Sequence, residues 1–334
     1  MIPTSDIFSI SSSKQFEKIA LKVFRYQYDN NVVYREFCQH LKVEKQDVKS
    51  LLQIPFLPIQ FFKSHEVVSG ENPIQTIFTS SGTTGMTTSN HFVSDLSLYE
   101  NSYRQAFAQF YGNIEDYVVL ALLPSYLERE GSSLIYMVND LIKKSNNSES
   151  GFYLHNYEEL VTKLFALDQS GQNVILIGVT YALLDLIEIQ KFQLHNTIVM
   201  ETGGMKGKRK ELIREELHEI LCRGFGVSQI HSEYGMTELL SQAYSAGDGI
   251  FNCPPWMKIL LREVNDPFAK YKMSFTKSTR TFLDTEELEA IEEKKISIPR
   301  LQHVQDLFIF SCYTGIAFID MYNLSKENMT RGID

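Results

Sequence analysis

The chain has 334 residues, 43% of them hydrophobic and 12% aromatic, enough apolar material for a sizeable core and too much for wholesale disorder. A formal net charge of −9 excludes a protein whose whole surface serves nucleic-acid phosphates, which need a basic face. Cys38, Cys222, Cys253 and Cys312 stand far apart with no CxxC spacing, which excludes a disulfide framework or zinc cluster and leaves reduced thiols in a cytoplasm as the expectation. The first residues lack a basic-then-apolar signal, and no apolar run approaches the roughly 20 residues of a membrane span. No membrane insertion is expected.

Between Ser13 and Leu41, Phe16, Ile19, Ala20, Val23, Phe24 and Tyr28 recur at three- and four-residue steps behind a serine cluster, predicting a capped helix. "IPFLPIQFF" follows as an extended, packed segment set by its prolines. Thr76 to Ser89, "TIFTSSGTTGMTTS", then holds six threonines, three serines and two glycines without a charge, in a chain that is 22% charged. Glycines at 82 and 85 let the backbone turn tightly and expose its amides. The hydroxyls of Thr79, Ser80, Ser81, Thr83 and Thr84 add donors, an array suited to a polyphosphate. No lysine follows as in P-loop NTPases. Taken alone, the segment reads equally as a polar surface loop.

A helix is predicted from Ser94 to Tyr111, a buried strand in "DYVVLALLPS" from Asp116 to Ser125, and an amphipathic helix from Gly131. "NVILIGVT", Asn173 to Thr180, is a second buried strand with a helix after it, and "NTIVMETGG", Asn196 to Gly204, a third that runs into a Gly-Gly turn. "KRKELIREELHEILCRGFG" predicts a helix with Glu211–Arg214 and Glu219–Arg223 pairs, closed by glycine. "SQIHSEYGMTE" is a short strand entering a loop. This alternation predicts an α/β domain whose mainly parallel sheet is flanked by helices. Ligands of such sheets gather at the carboxyl ends of the strands, where Thr180, Gly203-Gly204 and Tyr234-Gly235 fall. Beyond Phe268 the pattern becomes helical and dense in charge. Asp284 caps "LDTEELEAIEE" with Glu287 three residues on, and "RLQHVQDLFIFSCYTG" stops at Gly315. The expected domains are 1–268 and a short helical appendage, 269–334.

Ser-Ser-Gly-Thr-Thr-Gly at 80–85 together with Tyr-Gly-Met-Thr-Glu at 234–238 resembles the paired core motifs of the adenylate-forming superfamily, the ligases that make acyl-AMP from ATP. "PFLPIQFFKSHEV", "LALLPSYLEREGSSLIYM", "METGGMKGKRKELIREELH", "IHSEYGMTELLSQAY" and "CPPWMK" are similar to the acyl-protein synthetase family, over roughly residues 10 to 266. The resemblance implies the superfamily's large N-terminal domain, with ATP and Mg²⁺ as cofactors. It implies activation of a long-chain fatty acid or another carboxylate to acyl-AMP and transfer to a protein thiol, with an acyl reductase as partner. By the same resemblance Ser80, Ser81, Gly82, Thr83, Thr84 and Gly85 hold the β- and γ-phosphates, and Thr83, Thr237 and Glu238 are catalytic. Gly203, Gly204 and Met205 lie along adenine, Tyr234 stacks on the base and Gly235 lets the nucleotide approach. Thr237 reaches the α-phosphate and Glu238 holds Mg²⁺. These roles suit a reaction run by positioning and electrostatic stabilisation.

Plainer readings stand beside these. Tyr234 packs, Glu238 is a helix-start charge, and His231 satisfies the core, with contact to the acyl-adenylate as its alternative. Arg129, Glu130 and Ser132 either cap a helix or line an acyl pocket. The basic run at 206–210 is a solvated helix start, with pyrophosphate attraction as its second reading, and Trp256 packs, with a pocket wall as its second. The family continues past the Pro-Pro-Trp segment with a ribose-binding aspartate and a C-terminal lid, and neither has a counterpart after Asp266. The tail instead resembles the start of a phage-integrase-type tyrosine recombinase catalytic domain, with Ala317 where that family has arginine. Without a complete nucleophile constellation it is not expected to cleave DNA. A ligase impaired by truncation is the first expectation, a catalytically inactive nucleotide- or acyl-binding remnant the second, and a DNA-binding recombinase fragment the third. Cys253 is not expected to carry the acyl group.

Overall fold

A computed structural model describes residues 2–80, 88–123, 131–154, 156–205, 209, 212–261, 285–296 and 299–314. Contacts divide the chain into two compact units, Met1–Tyr271 and Lys272–Asp334.

In the first unit, β1 (Thr76–Thr79) and β2 (Asn90–Val93) form an antiparallel hairpin in which Thr79 faces Asn90. The hydroxyl-rich stretch therefore opens with a strand, because Phe78 alternates inward while Ile77 stays exposed. The main sheet has six strands in the order β4-β3-β5-β6-β7-β8. They are β3 (Val118–Leu122), β4 (Gly151–Tyr153), β5 (Val174–Val179), β6 (Thr197–Thr202), β7 (His231–Tyr234) and β8 (Ala243–Ser245). Every neighbouring pair through β7 is parallel, and β8 returns antiparallel. The mixed α/β fold with a mainly parallel sheet is thus the one expected. Every residue of β3 and β5 is buried, which is why these strands read as unbroken apolar runs.

Helices Ser133–Ser145, Tyr157–Gln169, Thr180–Ile189 and Arg214–Phe225 fill the crossovers between the parallel strands. One apolar cluster around the sheet includes Tyr99, Tyr103, Leu120, Leu164, Leu176 and Phe225. Asp168 pins the turn before β6. Its buried carboxylate accepts from the His195 and Asn196 amides and from Thr197 Oγ1, at 3.1, 2.8 and 2.9 Å.

Two predicted helices change. The helix expected over Ser13–Leu41 is two helices, Ser13–Asn30 and Val32–His40. Asn31 breaks it: buried and extended, its side chain accepts from the Tyr34 amide at 2.9 Å, an alternative that asparagine offers to a continuous helix. The helix expected from Lys208 begins at Arg214 and ends, as expected, at Gly226. Glu219 and Arg223 pair across its exposed face, whereas Glu211 lies outside the described residues. Arg209, from the basic run, pairs with Asp185 and Glu188.

A second, smaller cluster joins the N-terminal helices: Phe24, Tyr28, Tyr34, Phe37, Cys38 and Val48. Phe24 meets Tyr28 and Tyr34 edge-on, each with centroids 6.1 Å apart, and Tyr34 Oη donates to the Pro55 carbonyl at 2.7 Å. In the second unit, helices Thr285–Glu292 and Pro299–Thr314 are joined by buried Gln305, whose amide donates to the carbonyls of Ile291 and Lys294. Proline suits a first helical position, where its missing N–H costs nothing. The expected cap Asp284 and stop Gly315 lie outside the described residues. Among those residues, no helix is long and apolar enough to cross a membrane.

Candidate functional site

The carboxyl ends of β6 and β7 open on a cleft of about 440 Å³. Its other wall comes from the hairpin and the start of helix Ser133–Ser145. Ser80 and Ser89 close the hairpin reciprocally: the Ser80 amide donates to the Ser89 carbonyl at 3.0 Å, and the Ser89 amide to Ser80 Oγ at 2.8 Å. The Thr79 amide donates to the Gly131 carbonyl at 2.8 Å. At φ +83°, a Cβ on Gly131 would stand 2.8 Å from Thr79 Oγ1, so only glycine allows hairpin and helix start to meet this closely. Ser132 then caps the helix, accepting from the Ile135 amide at 3.3 Å, and also lines the cleft.

Six residues expected in the site line this one cleft: Ser80, Gly203, Tyr234, Gly235, Thr237 and Glu238. Ser81, Gly82, Thr83, Thr84 and Gly85 lie outside the described residues, as do Arg129 and Glu130. Gly204 follows Gly203 in the turn after β6, and the Met205 side chain sits in the main core, 1% exposed. Tyr234 is 40% exposed, meets Phe251 edge-on at 6.1 Å and donates its hydroxyl to Met236 Sδ at 3.0 Å. His231 is buried, with Nδ1 3.1 Å from Tyr111 Oη and Nε2 3.3 Å from Gln229 Nε2, and burial pushes its pKa below the ordinary value. It is a core residue, as the plainer reading had it. Trp256 donates to Ser102 Oγ at 3.0 Å and packs edge-on against Phe8 at 4.9 Å. The partly buried Cys253 thiol is raised by burial, which lowers its thiolate content and its reactivity.

Four groups carrying the cleft's polarity escaped the sequence reading. Glu233 is buried at the end of β7, where Thr202 Oγ1, on the neighbouring strand, donates to its Oε2 at 2.6 Å. Burial pushes its carboxyl up to about 7, against the pull of the Thr202 hydrogen bond and with nearby Glu201 adding to the rise. Gly235 makes room for it, since a Cβ there would lie 2.7 Å from Glu233 Oε1. Buried Glu201 is answered by Arg214, whose Nη1 donates to Glu201 Oε1 at 2.8 Å and to Ser232 Oγ at 2.9 Å. The Arg214 guanidinium also lies 4.9 Å over the Phe251 ring. Arg214 thus faces the strand ends. Finally His91, on β2, bonds through Nδ1 to the Thr237 carbonyl at 2.9 Å and ties the hairpin to the Tyr-Gly-Met-Thr-Glu turn. The available signal was three consecutive polar residues, His231, Ser232 and Glu233, in a strand where a parallel sheet ordinarily places apolar ones.

The described lining residues offer three carboxylates, Glu201, Glu233 and Glu238, against the single guanidinium of Arg214. Unaided, such a wall repels a polyanion. Among the described residues no group of three or more His, Cys, Asp or Glu could cage a metal ion. One cleft carboxylate in Glu238 suits Mg²⁺, which keeps most of its shell as water and phosphate oxygen and takes one or two carboxylates.

Residues 2–99 match the family described as acyl-protein synthetase, LuxE. Over 272 residues the chain is 25% identical to the long-chain-fatty-acid–luciferin-component ligase of Vibrio harveyi, covering 76% of this chain and 71% of that one. Over 71 residues it is 38% identical to the ligase of the same name from Photorhabdus luminescens, covering 21% of this chain and 60% of that one. Among solved structures, the O-succinylbenzoate coenzyme A synthetase of Bacillus subtilis, in complex with ATP and magnesium ion, matches 57% of this chain and 36% of its own, at 18% identity and a TM-score of 0.35. The chain is similar to the acyl-protein synthetases, the family its motifs resembled.

Proposed function

We propose that the chain is an AMP-forming acid–thiol ligase of the acyl-protein synthetase type, in which residues 1–268 form the adenylating domain and 269–334 a separate helical appendage. One observation carries this reading: Ser80, Gly203, Tyr234, Thr237 and Glu238, far apart in sequence, line one cleft at the carboxyl ends of a parallel sheet. A carboxylate oxygen of the fatty acid attacks the α-phosphorus of ATP, the bond to the bridging oxygen of the β-phosphate breaks, and pyrophosphate leaves. A protein thiolate then attacks the acyl carbon, the carbon–oxygen bond to phosphate breaks, and AMP leaves.

Tyr234 offers an exposed aromatic face for the base and the Gly203 turn gives it room. Ser80, at the mouth of the hairpin, begins the array of hydroxyls and amides for the β- and γ-phosphates. Thr237 donates to the α-phosphate, whose equatorial oxygens gain charge in the transition state. When bound, Mg²⁺ would be held by Glu238 and phosphate oxygens and would neutralise developing charge. Arg214 fixes Glu201 away from the nucleotide. The acceptor is a protein thiol, an acyl reductase is the partner in this reading, and the setting is the cytoplasm.

Fatty-acid-dependent exchange of labelled pyrophosphate into ATP tests the proposal. Exchange should appear with the wild-type chain, and Glu238→Gln should lower it about a hundred- to a thousandfold. ATP binding without exchange for any acyl chain would replace this reading with that of a nucleotide-binding protein without turnover.

A further inference from the structure

The cleft does not end at Glu238. The same residue borders a second cavity of about 430 Å³ behind the hairpin. That cavity shares Ile7, Val23, Phe62 and Val67 with a third, of about 350 Å³, among the N-terminal helices. Both volumes fall in the range of roughly 300–1,000 Å³ typical of small-molecule sites. The third is lined mainly by apolar side chains, with Ile19, Phe24, Ile54, Leu57 and Trp256 among them. A surface of this kind gives water few of the two to four polar partners it needs.

We propose that the N-terminal helices hold the alkyl chain of the acyl substrate. The carboxylate lies at Thr237 and Glu238, and the methyl end lies in the apolar cavity beside Trp256. The junction is built for such a path. His91 grips the Thr237 carbonyl at 2.9 Å and meets Phe62 edge-on with ring centres 5.3 Å apart, while Phe62 borders both outer cavities. A chain leaving the reacting carboxylate passes His91, then Phe62, crosses a middle cavity whose wall also carries Asn72, Ser94 and Asp95, and reaches mainly apolar walls in the third. The occupant's identity rests on the acyl-activation reading; the shared borders of the three cavities do not. One cation borders the apolar cavity among its described lining residues, Lys258, with Nζ 5.9 Å over the Phe16 ring. It offers the reverse orientation, carboxylate first, and the test separates the two.

Trp256 is the only tryptophan in the chain, so selectively excited tryptophan emission of the full-length protein reports on one residue of this cavity's wall. Below their micelle concentrations and without ATP, 12-bromododecanoic acid and 2-bromododecanoic acid are titrated in parallel. The expected result is saturable quenching, deeper with bromine on the terminal carbon. Unbrominated competitors from octanoate to dodecanoate should tighten roughly fourfold per methylene, the increment of one buried CH₂. Ala20→Phe, which fills part of the cavity from a half-buried helix position, should weaken dodecanoate about tenfold and octanoate little. Absent quenching, or deeper quenching by the 2-bromo acid, overturns the proposal whether or not the variant folds. Pyrophosphate exchange on the same preparation separates the two readings. Exchange without quenching discards the cavity and keeps acyl activation, whereas terminal-bromine quenching without exchange does the reverse.

Discussion

The two apolar clusters of the first unit were filled to different degrees. Around the sheet, Phe107, Val119, Met137, Ile175 and Met200 leave a void of only about 10 Å³, the density expected of a protein interior. The N-terminal cluster borders about 350 Å³ of open apolar space. Both use the same residue types, so hydrophobicity does not separate them; neighbours do. The inner strands of the sheet, β3, β5, β6 and β7, are each held in register by strands on either side, and their side chains have nowhere to relax. The N-terminal helices meet through side chains rather than a backbone ladder, Phe24 edge-on to Tyr34 among them, and leave space between them. A closed core stabilises the fold, and an open one keeps room.

The largest expected effect strikes the closed region. Leu176→Ala, at a fully buried position of β5, should cost about 2–5 kcal/mol in urea unfolding, while Ile19→Ala beside the open cavity should cost about 1 kcal/mol. Equal losses would break the contrast. Next comes the polar margin of the packed sheet, where the buried Glu233 carboxyl is raised to about 7 from an ordinary 4.5. A raised acid gives stability that is fully present below pH 4.5 and lost as pH rises through 7, by about 1.4 kcal/mol for each unit of the rise. Thermal unfolding from pH 4 to pH 8 should show that decline, and Glu233→Gln should flatten it. The smallest effect belongs to the exposed pair Glu219–Arg223. Arg223→Ala should change the melting free energy by under about 0.5 kcal/mol, and less still in salt.

The sequence carried the sheet well, because strands buried on both faces spell unbroken apolar runs and helices between them spell amphipathic ones. It carried the turn at Tyr234 to Glu238 and the glycines after β6 for a similar reason: a motif is a local pattern. What it hid depended on partners distant in the chain. Arg214 had a glutamate three residues before it on a predicted helix, yet its partner is Glu201, which only the β6–β7 register brings near. Glu233 read only as one residue of a short strand entering a loop, and Thr202 and the bare Gly235 give it a pocket. Asn31 sat inside an uninterrupted helical period, and its break depends on one side-chain hydrogen bond. The adjoining cavities beyond Glu238 have no linear signature at all, since helix, hairpin and the segment around Trp256 each supply part of the wall.

The outermost strands of the main sheet, Gly151–Tyr153 and Ala243–Ser245, are three residues each. The second is already engaged on its far side, where Tyr244 and Asn252 exchange amide-to-carbonyl bonds at 3.1 and 2.8 Å. Neither border presents the long row of unspent backbone donors that recruits a foreign strand. The sheet is thus a poor seed for fibril growth, and crowding at the ribosome or in a concentrated stock gives it little means of zipping onto its own copies.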